Sequence, residues 1–323
     1  MLGLMIMVGV SLLFMIGGLT WLIWSYRRKL PHPDWREIRN HPDVTGFRDD
    51  AITVTWVGHA TVYLNVKGIR ILTDPVFSER VGIQLLPRWT LGPKRFTPPA
   101  LDGKSVGEVD LILLSHAHMD HLDLPSLRTL ARPETRVVMP RGTKGLLRSY
   151  PFGEVIELDE NESVDLGAGL TVTAFPVRHW GNRYPWNNDY GYTGYLIEKD
   201  GRRIAFPGDT AYTPKLKQLR LFGPLDLMLV PIGAYAPDSF QRSHCTPEQA
   251  WQMAQEAGAR HVVPIHWNTF VLSQEPVDEP LRRLVAAAGP KEDRIVIREQ
   301  GEVWQLTESH GPDGIEKELQ LQG

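Results

Sequence analysis

The sequence predicts an α/β domain placed behind one N-terminal membrane-spanning helix. Three observations lead to it. Short apolar strands and helical segments alternate from Ile52 to Leu306, the order of a layered α/β chain. Histidines and aspartates recur directly after those strands. Ahead of them, Leu2 to Trp24 contains no charged residue.

Taking the chain in order, that uncharged run is rich in Leu, Ile, Met, Val and Phe, and as a helix it would cross a hydrocarbon core of roughly 30 Å. Trp21, Trp24 and Tyr26 stand where an interfacial aromatic belt belongs, and Arg27-Arg28-Lys29 follow at once. A cleaved signal peptide fits badly: there is no basic start, and the first alanine is Ala51. The basic cluster places the N-terminus outside and the following domain in the cytoplasm. The expected division is 1–26 anchor, 27–50 juxtamembrane linker or strap, 51–307 catalytic domain and 308–323 polar tail.

At 42% hydrophobic content, the 323-residue chain has ample material for a sizeable core. A net charge of −3 and an isoelectric point near 6.4 give no reason to expect a nucleic-acid partner. Cys245 is the one cysteine, so no intramolecular disulfide can form. It reads as a small buried filler.

Ile52 to Gly58, Thr61 to Val66 and Ile69 to Thr73 read as hairpin-connected strands, the last running into Asp74-Pro75. From Phe77 to Gly107 the chain is irregular and rich in Pro, Gly and aromatics, the mark of a lid or binding loop. Its apolar residues, among them Phe77, Ile83, Trp89 and Leu91, would either pack beneath the loop or enter lipid. Helices are expected over Pro125–Ala131 and Thr143–Tyr150. Strands follow at Arg136–Met139, Glu154–Leu158, Leu170–Val177, Thr193–Glu198 and Arg203–Phe206, the last two joined by Asp200-Gly201. After a strand over Asp226–Ile232, Thr246-Pro-Glu-Gln opens a helix with a capping box, and Gly258 closes it. A helix over Pro280–Ala288 and strands over Arg294–Arg298 and Glu302–Leu306 complete the domain.

The chemistry gathers around Leu111-Ile-Leu-Leu, a buried strand ending in His116-x-His118-x-Asp120-His121. Imidazoles two apart at a strand's end can both reach one ion, and the Asp and His that follow can face a second. Borderline cations such as zinc take N and O ligands of this kind. His179, Asp209 and His266 each follow another strand and join the set. Each alone would be an ordinary loop residue. Four ligand-type residues in six positions are not a chance His-rich loop. His59, in Gly58-His59-Ala60-Thr61, is open to two readings, a core histidine or a neighbour of the metal site.

The motif His116-x-His118-x-Asp120-His121 with His179, Asp209 and His266 downstream resembles the metallo-β-lactamase superfamily; Trp56-Val-Gly-His-Ala-Thr61, Asp74-Pro-Val-Phe-Ser78, Arg95-Phe-Thr-Pro-Pro-Ala100, Ser115-His-Ala-His-Met-Asp-His-Leu-Asp123, Pro231-Ile-Gly-Ala-Tyr235 and Ile265-His-Trp-Asn-Thr-Phe270 carry the likeness to one branch of it. The likeness spans roughly Ile52 to Leu306 and implies an αββα sandwich with a dinuclear centre between its sheets. Within that superfamily the chain resembles the branch containing N-acylphosphatidylethanolamine-hydrolysing phospholipase D. The ascorbate-phosphate lactonase branch shares the Gly-His-Ala-Thr and Gly-Asp-Thr elements. Ala117 and Met119 replace the Asn and Tyr expected in the phospholipase branch, which affects the pocket wall and not the ligands.

The resemblance implies two Zn²⁺, with iron or manganese as alternatives. His116, His118 and His179 would hold one ion, Asp120, His121 and His266 the other, and Asp209 would bridge. Two cations sharing a water lower its pKa and give hydroxide near neutral pH. Asp120 and His244 are the catalytic candidates, His244 orienting substrate or protonating a leaving group. His59 and Asp74 would support the ligands, and Trp180 and Trp267 would either support them too or stand beside substrate. The expected partners are a phospholipid or other phosphodiester and the membrane, with a homodimer allowed and no nucleic acid. The leading expectation is a membrane-anchored phosphodiesterase of phospholipase D type. The alternatives are a lactonase or cyclic phosphodiesterase with a soluble substrate, and a metal-binding module without hydrolase activity.

Overall fold

Side-chain parity explains how one strand serves two cores. In β6 (Leu111–Leu113), Leu111 and Leu113 face the main core, whereas Ile112 and the following Leu114 belong to a second cluster. A strand buried on both faces needs a continuous apolar run, and that is what the sequence supplies. In a computed structural model of the chain the described residues are 15–306, without 16, 19, 22, 23, 87, 88, 185, 187 and 188.

The first sheet has seven strands. Its order is β15 (Val303–Leu306), β1 (Ile52–Gly58), β2 (Thr61–Val66), β3 (Ile69–Thr73), β6, β7 (Arg136–Pro140) and β8 (Glu154–Leu158). The second has six: β14 (Ala259–Ile265), β13 (Leu225–Pro231), β12 (Arg202–Phe206), β11 (Gly194–Lys199), β10 (Leu170–Phe175) and β9 (Ser163–Asp165). Val54, Val62, Leu64 and Leu113 of the first sheet share the main core with Val172, Leu196, Leu227 and Val263 of the second. Helix α1 (Leu124–Leu130) covers the first sheet through Leu127 and Leu130. Helices α2 (Pro247–Ala257) and α3 (Glu279–Ala288) cover the second through Trp251, Met253, Ala254 and Leu284. This is the expected αββα layering. Burying each Leu, Met or Val side chain among these contributes about 1.5–3 kcal/mol.

Local chemistry sets the element ends. Thr246 accepts from the Gln249 amide while the Gln249 side chain accepts from the Thr246 amide, and Gly258 ends α2 at φ +79°. Asp123 caps α1 by accepting from the Ser126 amide.

Four expectations are corrected or refined. Arg294–Arg298 forms no strand beyond a bridge between Val262 and Ile295. The Glu302 carboxylate takes the Arg298 and Glu299 amides at 2.8 and 3.1 Å, replacing a ladder. The helix expected over Thr143–Tyr150 is a 3₁₀ turn, Lys144–Leu147. The irregular stretch after Phe77 contains a separate two-stranded hairpin, β4 (Ile83–Leu86) and β5 (Trp89–Leu91). The linker read over 27–50 is a strap: Arg36 donates its amide to Phe96 O (2.8 Å) and pairs with Asp278 (2.6 Å), and Val44 is buried in the second core.

The polar tail expected over 308–323 lies outside the described residues, as does most of the anchor expected over 1–26. Among the described residues no helix is long and apolar enough to cross a membrane.

Candidate metal centre

The strands β1, β3, β6, β10, β12 and β14 all deliver their C-terminal ends to one edge of the sandwich, each followed within four residues by a residue of the cluster. β1 leads to His59, β3 to Asp74, β6 to His116, β10 to His179, β12 to Asp209 and β14 to His266. His59, Asp74 and His266 sit at positive φ, 53°, 33° and 61°, a conformation uncommon for residues other than glycine.

Among the described residues four overlapping groups converge. His116, His118 and His179 form one, and His59, Asp120, His121 and His266 form another. His179, Asp209 and His244 form the third, between them, and Asp74 with His116 and His121 the fourth. In the first, His118 Nδ1 lies 2.7 Å from His116 Nε2 and 3.3 Å from His179 Nε2. Asp209 Oδ2 stands 3.0 Å from His266 Nε2, 3.2 Å from His121 Nε2 and 3.9 Å from His179 Nε2. It therefore touches both groups. Asp120 Oδ2 is 3.7 Å from both His121 Nε2 and His266 Nε2.

The outward nitrogens are held by other partners, which aims the inward ones. His121 Nδ1 meets Asp74 Oδ2 at 2.6 Å, His116 Nδ1 meets Ser115 Oγ at 2.9 Å, and His179 Nδ1 donates to Ser243 O at 2.8 Å. Asp74 also accepts from the Ser115 amide (2.7 Å) and hydroxyl (2.5 Å). This is the carboxylate-to-histidine support typical of metal ligands. His121 Nε2, His266 Nε2, His244 Nδ1 and Asp209 Oδ1 are buried without a hydrogen-bond partner. Orphaned buried nitrogens and oxygens of ligand type, in two adjoining groups, fit a pair of cations.

Electrostatics agree with a cation site. Burial pushes the imidazoles of His118 and His244 down to about 4 and that of His59 to about 3. Burial acts the same way on His266, but Asp209 and Asp120 outweigh it and hold that imidazole up at about 9. His121 is raised for the same reason, burial being overcome by Asp209, Asp120 and Asp74. Two buried carboxylates demand positive charge, and the imidazoles can hold it as protons or as metal.

The expected residues divide as follows. His116, His118, Asp120, His121, His179, Asp209 and His266 are brought together, with His244 at 3.7 Å from Asp209 Oδ2. His59 joins the group of Asp120, His121 and His266: its Nε2 is 3.1 Å from Asp120 Oδ2, and its amide donates to Thr269 Oγ1. Trp180 is half exposed with its ring 4.0 Å from that of His118, at the rim. Trp267 is a correction. Its indole stacks on Trp56 at 5.1 Å and donates to Pro264 O, so it packs into the core behind His266 rather than standing beside substrate.

Sequence reasoning missed Ser115 and Arg183. Arg183 Nη1 donates to Ala117 O (3.1 Å) and Leu122 O (2.8 Å), stapling the loop that carries the motif. Ser115 lay in view beside His116; nothing in the sequence marked Arg183.

Residues 69–267 match the description of the β-lactamase superfamily domain. An uncharacterized protein of Mycobacterium tuberculosis is 35% identical over 260 residues, 78% of this chain and 68% of that protein. The N-acyl-phosphatidylethanolamine-hydrolyzing phospholipase D 1 of Caenorhabditis elegans is 29% identical over 279 residues, 80% of this chain and 77% of that enzyme. Among solved structures, a metallo hydrolase of the archaeon Ignicoccus hospitalis superposes with a TM-score of 0.58 at 20% identity, over 80% of this chain and 99% of that one.

Proposed function

Since the chain belongs to the β-lactamase superfamily and is a metal-dependent hydrolase of it, we propose that it is a dinuclear zinc phosphodiesterase of phospholipase D type, cleaving N-acylphosphatidylethanolamine-like glycerophospholipids. The observation that carries the reaction type is Asp209, whose Oδ2 stands between two groups of buried imidazoles. The substrate class is supported by the likeness to the nematode phospholipase.

In this reading His116, His118 and His179 hold one ion, Asp120, His121 and His266 the other, with Asp209 reaching both. The bound pair would supply Lewis acidity and a nucleophilic oxygen at neutral pH. The chain's own groups do the rest. Asp74, Ser115 and the Ser243 carbonyl fix the ligand tautomers. His59 donates to Asp120 Oδ2 and keeps that carboxylate turned to the centre. His244, neutral at pH 7, presents its ring at the mouth and orients the leaving group by hydrogen bonding. Trp180 forms an apolar rim beside His118.

Leu2 to Trp24 would anchor the chain, with the domain on the cytoplasmic side. That rests on the uncharged run and the basic residues after it. The test is a panel on purified, zinc-loaded protein: N-acylphosphatidylethanolamine, phosphatidylcholine, a cyclic nucleotide and a lactone, with metal counted in parallel. Turnover of the N-acylated phospholipid with about two ions per chain is expected from the seven ligands. Turnover of the lactone or cyclic nucleotide alone would move the assignment to a soluble substrate.

A further inference from the structure

A groove of about 620 Å³ runs between the strap and the segment leaving β5, and none of the candidate metal ligands lines it. Arg27, Arg80, Lys94 and Arg95 line it, and no aspartate or glutamate does. Lys94 has a partner, Glu79 at 2.7 Å. Arg80 donates to a carbonyl, Gly92 O. Arg95 is only 3% exposed, with Nη2 on Val76 O and with Nε and Nη1 lacking any hydrogen-bond partner. Among the described residues no carboxylate lies in ion-pair range of Arg95. The acid that influences it, Asp123, is occupied by Ser78 and Ser126. Its guanidinium lies 5.3 Å over the Phe270 ring and makes no ion pair of its own, so an anion in the groove would complete its charge balance.

The rims of this cationic groove are apolar. Trp35 of the strap and Leu91 of β5 are 50% and 59% exposed. The pairing of Ile83 with Leu91 puts both on one face of the hairpin, and Trp89, two residues before Leu91, shares it. That face is open to solvent, with Ile83 42% and Trp89 56% exposed. The groove also begins at Arg27, three residues after the uncharged run ends at Trp24.

We propose that this groove is a second, non-catalytic site for an anionic phospholipid at a bilayer surface. The phosphate sits among Arg27, Arg80, Lys94 and Arg95, and the acyl portion lies along Ile83, Trp89 and Leu91. Cationic floor and apolar rim together select a lipid over a free anion, because a free phosphate gains nothing from the rim. The site is independent of the metal chemistry.

The test uses full-length, zinc-loaded protein in neutral detergent, titrated with dihexanoylphosphatidylglycerol, dihexanoylphosphatidylcholine or inorganic phosphate and followed by native mass spectrometry. Phosphatidylglycerol should bind at least tenfold more tightly than either of the others. The double substitution Arg80→Gln, Lys94→Gln changes two exposed side chains. It should weaken that binding tenfold or more with the melting temperature unchanged. Equal affinity for the two lipids, phosphate matching phosphatidylglycerol, or indifference to the double substitution would each overturn the proposal. The readout is binding, so a chain inactive on every phosphodiester would refute the proposed function and leave this result standing.

Discussion

Asp74 has no oxygen to spare: one takes the Ser115 amide, the other the Ser115 hydroxyl and His121 Nδ1. That arrangement keeps the His121 proton on Nδ1 and leaves Nε2 facing Asp209 at 3.2 Å. Asparagine at position 74 could present its amide to Nδ1 and drive the proton to Nε2, turning a ligand into a donor. Asp74→Asn should therefore weaken one ion about 10–100-fold while the His116 group keeps its own. Zinc titration against a competing chelator reads this directly; two unchanged affinities would show that the Asp74 contact does not tune the site. Asp209→Ala should lose both high-affinity sites and almost all turnover, since its Oδ2 stands within reach of both groups. Retention of most activity would remove it from the bridging position.

Among the elements, the turn after β12 tolerates little change. Gly208 lies at φ +61°, and a Cβ there would meet Ser115 Cβ at 2.3 Å. Gly208→Ala should destabilise by more than about 1 kcal/mol from the positive φ alone, before the clash is counted. A melting curve that matches the parent would contradict the close approach of the turn after β12 to Ser115. The hairpin behaves oppositely: Trp89→Ser with Leu91→Ser removes exposed side chains and should leave the melting temperature unchanged. This contrast bears on what could be read in advance. Strands that end in ligands were legible because apolar run, polar terminus and histidine spacing coincide, as in Leu111 to His121. The second sheet's helix was legible through its capping box. The segment at Arg298 misled because a side chain, Glu302, satisfies amides that an alternating pattern assigns to a ladder. Arg183 was invisible because its partners are backbone carbonyls 66 and 61 residues away, and any residue type carries those. Trp267 misled through adjacency: it follows His266, but the chain turns at φ +61° and sends the indole into the core.

At the scale of the whole molecule, the buried imidazoles couple stability to both protons and metal. His59, His118 and His244 have folded-state values of about 3, 4 and 4, below the ordinary histidine value. The unfolded chain therefore binds more protons as pH falls from about 6.5 toward 4, and stability is lost across that window. Three such groups give a slope of roughly 4 kcal/mol per pH unit where all are engaged. His266 has the opposite sign. Its folded value of about 9 gives stability that is full below 6.5 and is lost as pH rises through 9. Chelator-treated protein should accordingly be most stable near neutrality and weaken on both sides. Zinc changes only part of this. It takes the place of the protons on His121 and His266, so the alkaline decline should flatten, and below pH 6 protons compete with it for every imidazole. At 100 times the dissociation constant each ion adds about 2.7 kcal/mol. The zinc-induced rise in melting temperature should thus be larger at pH 8 than at pH 5.5. Scanning calorimetry with and without zinc at those two values decides it, and an equal rise at both would mean that the buried histidines are not what holds the metal.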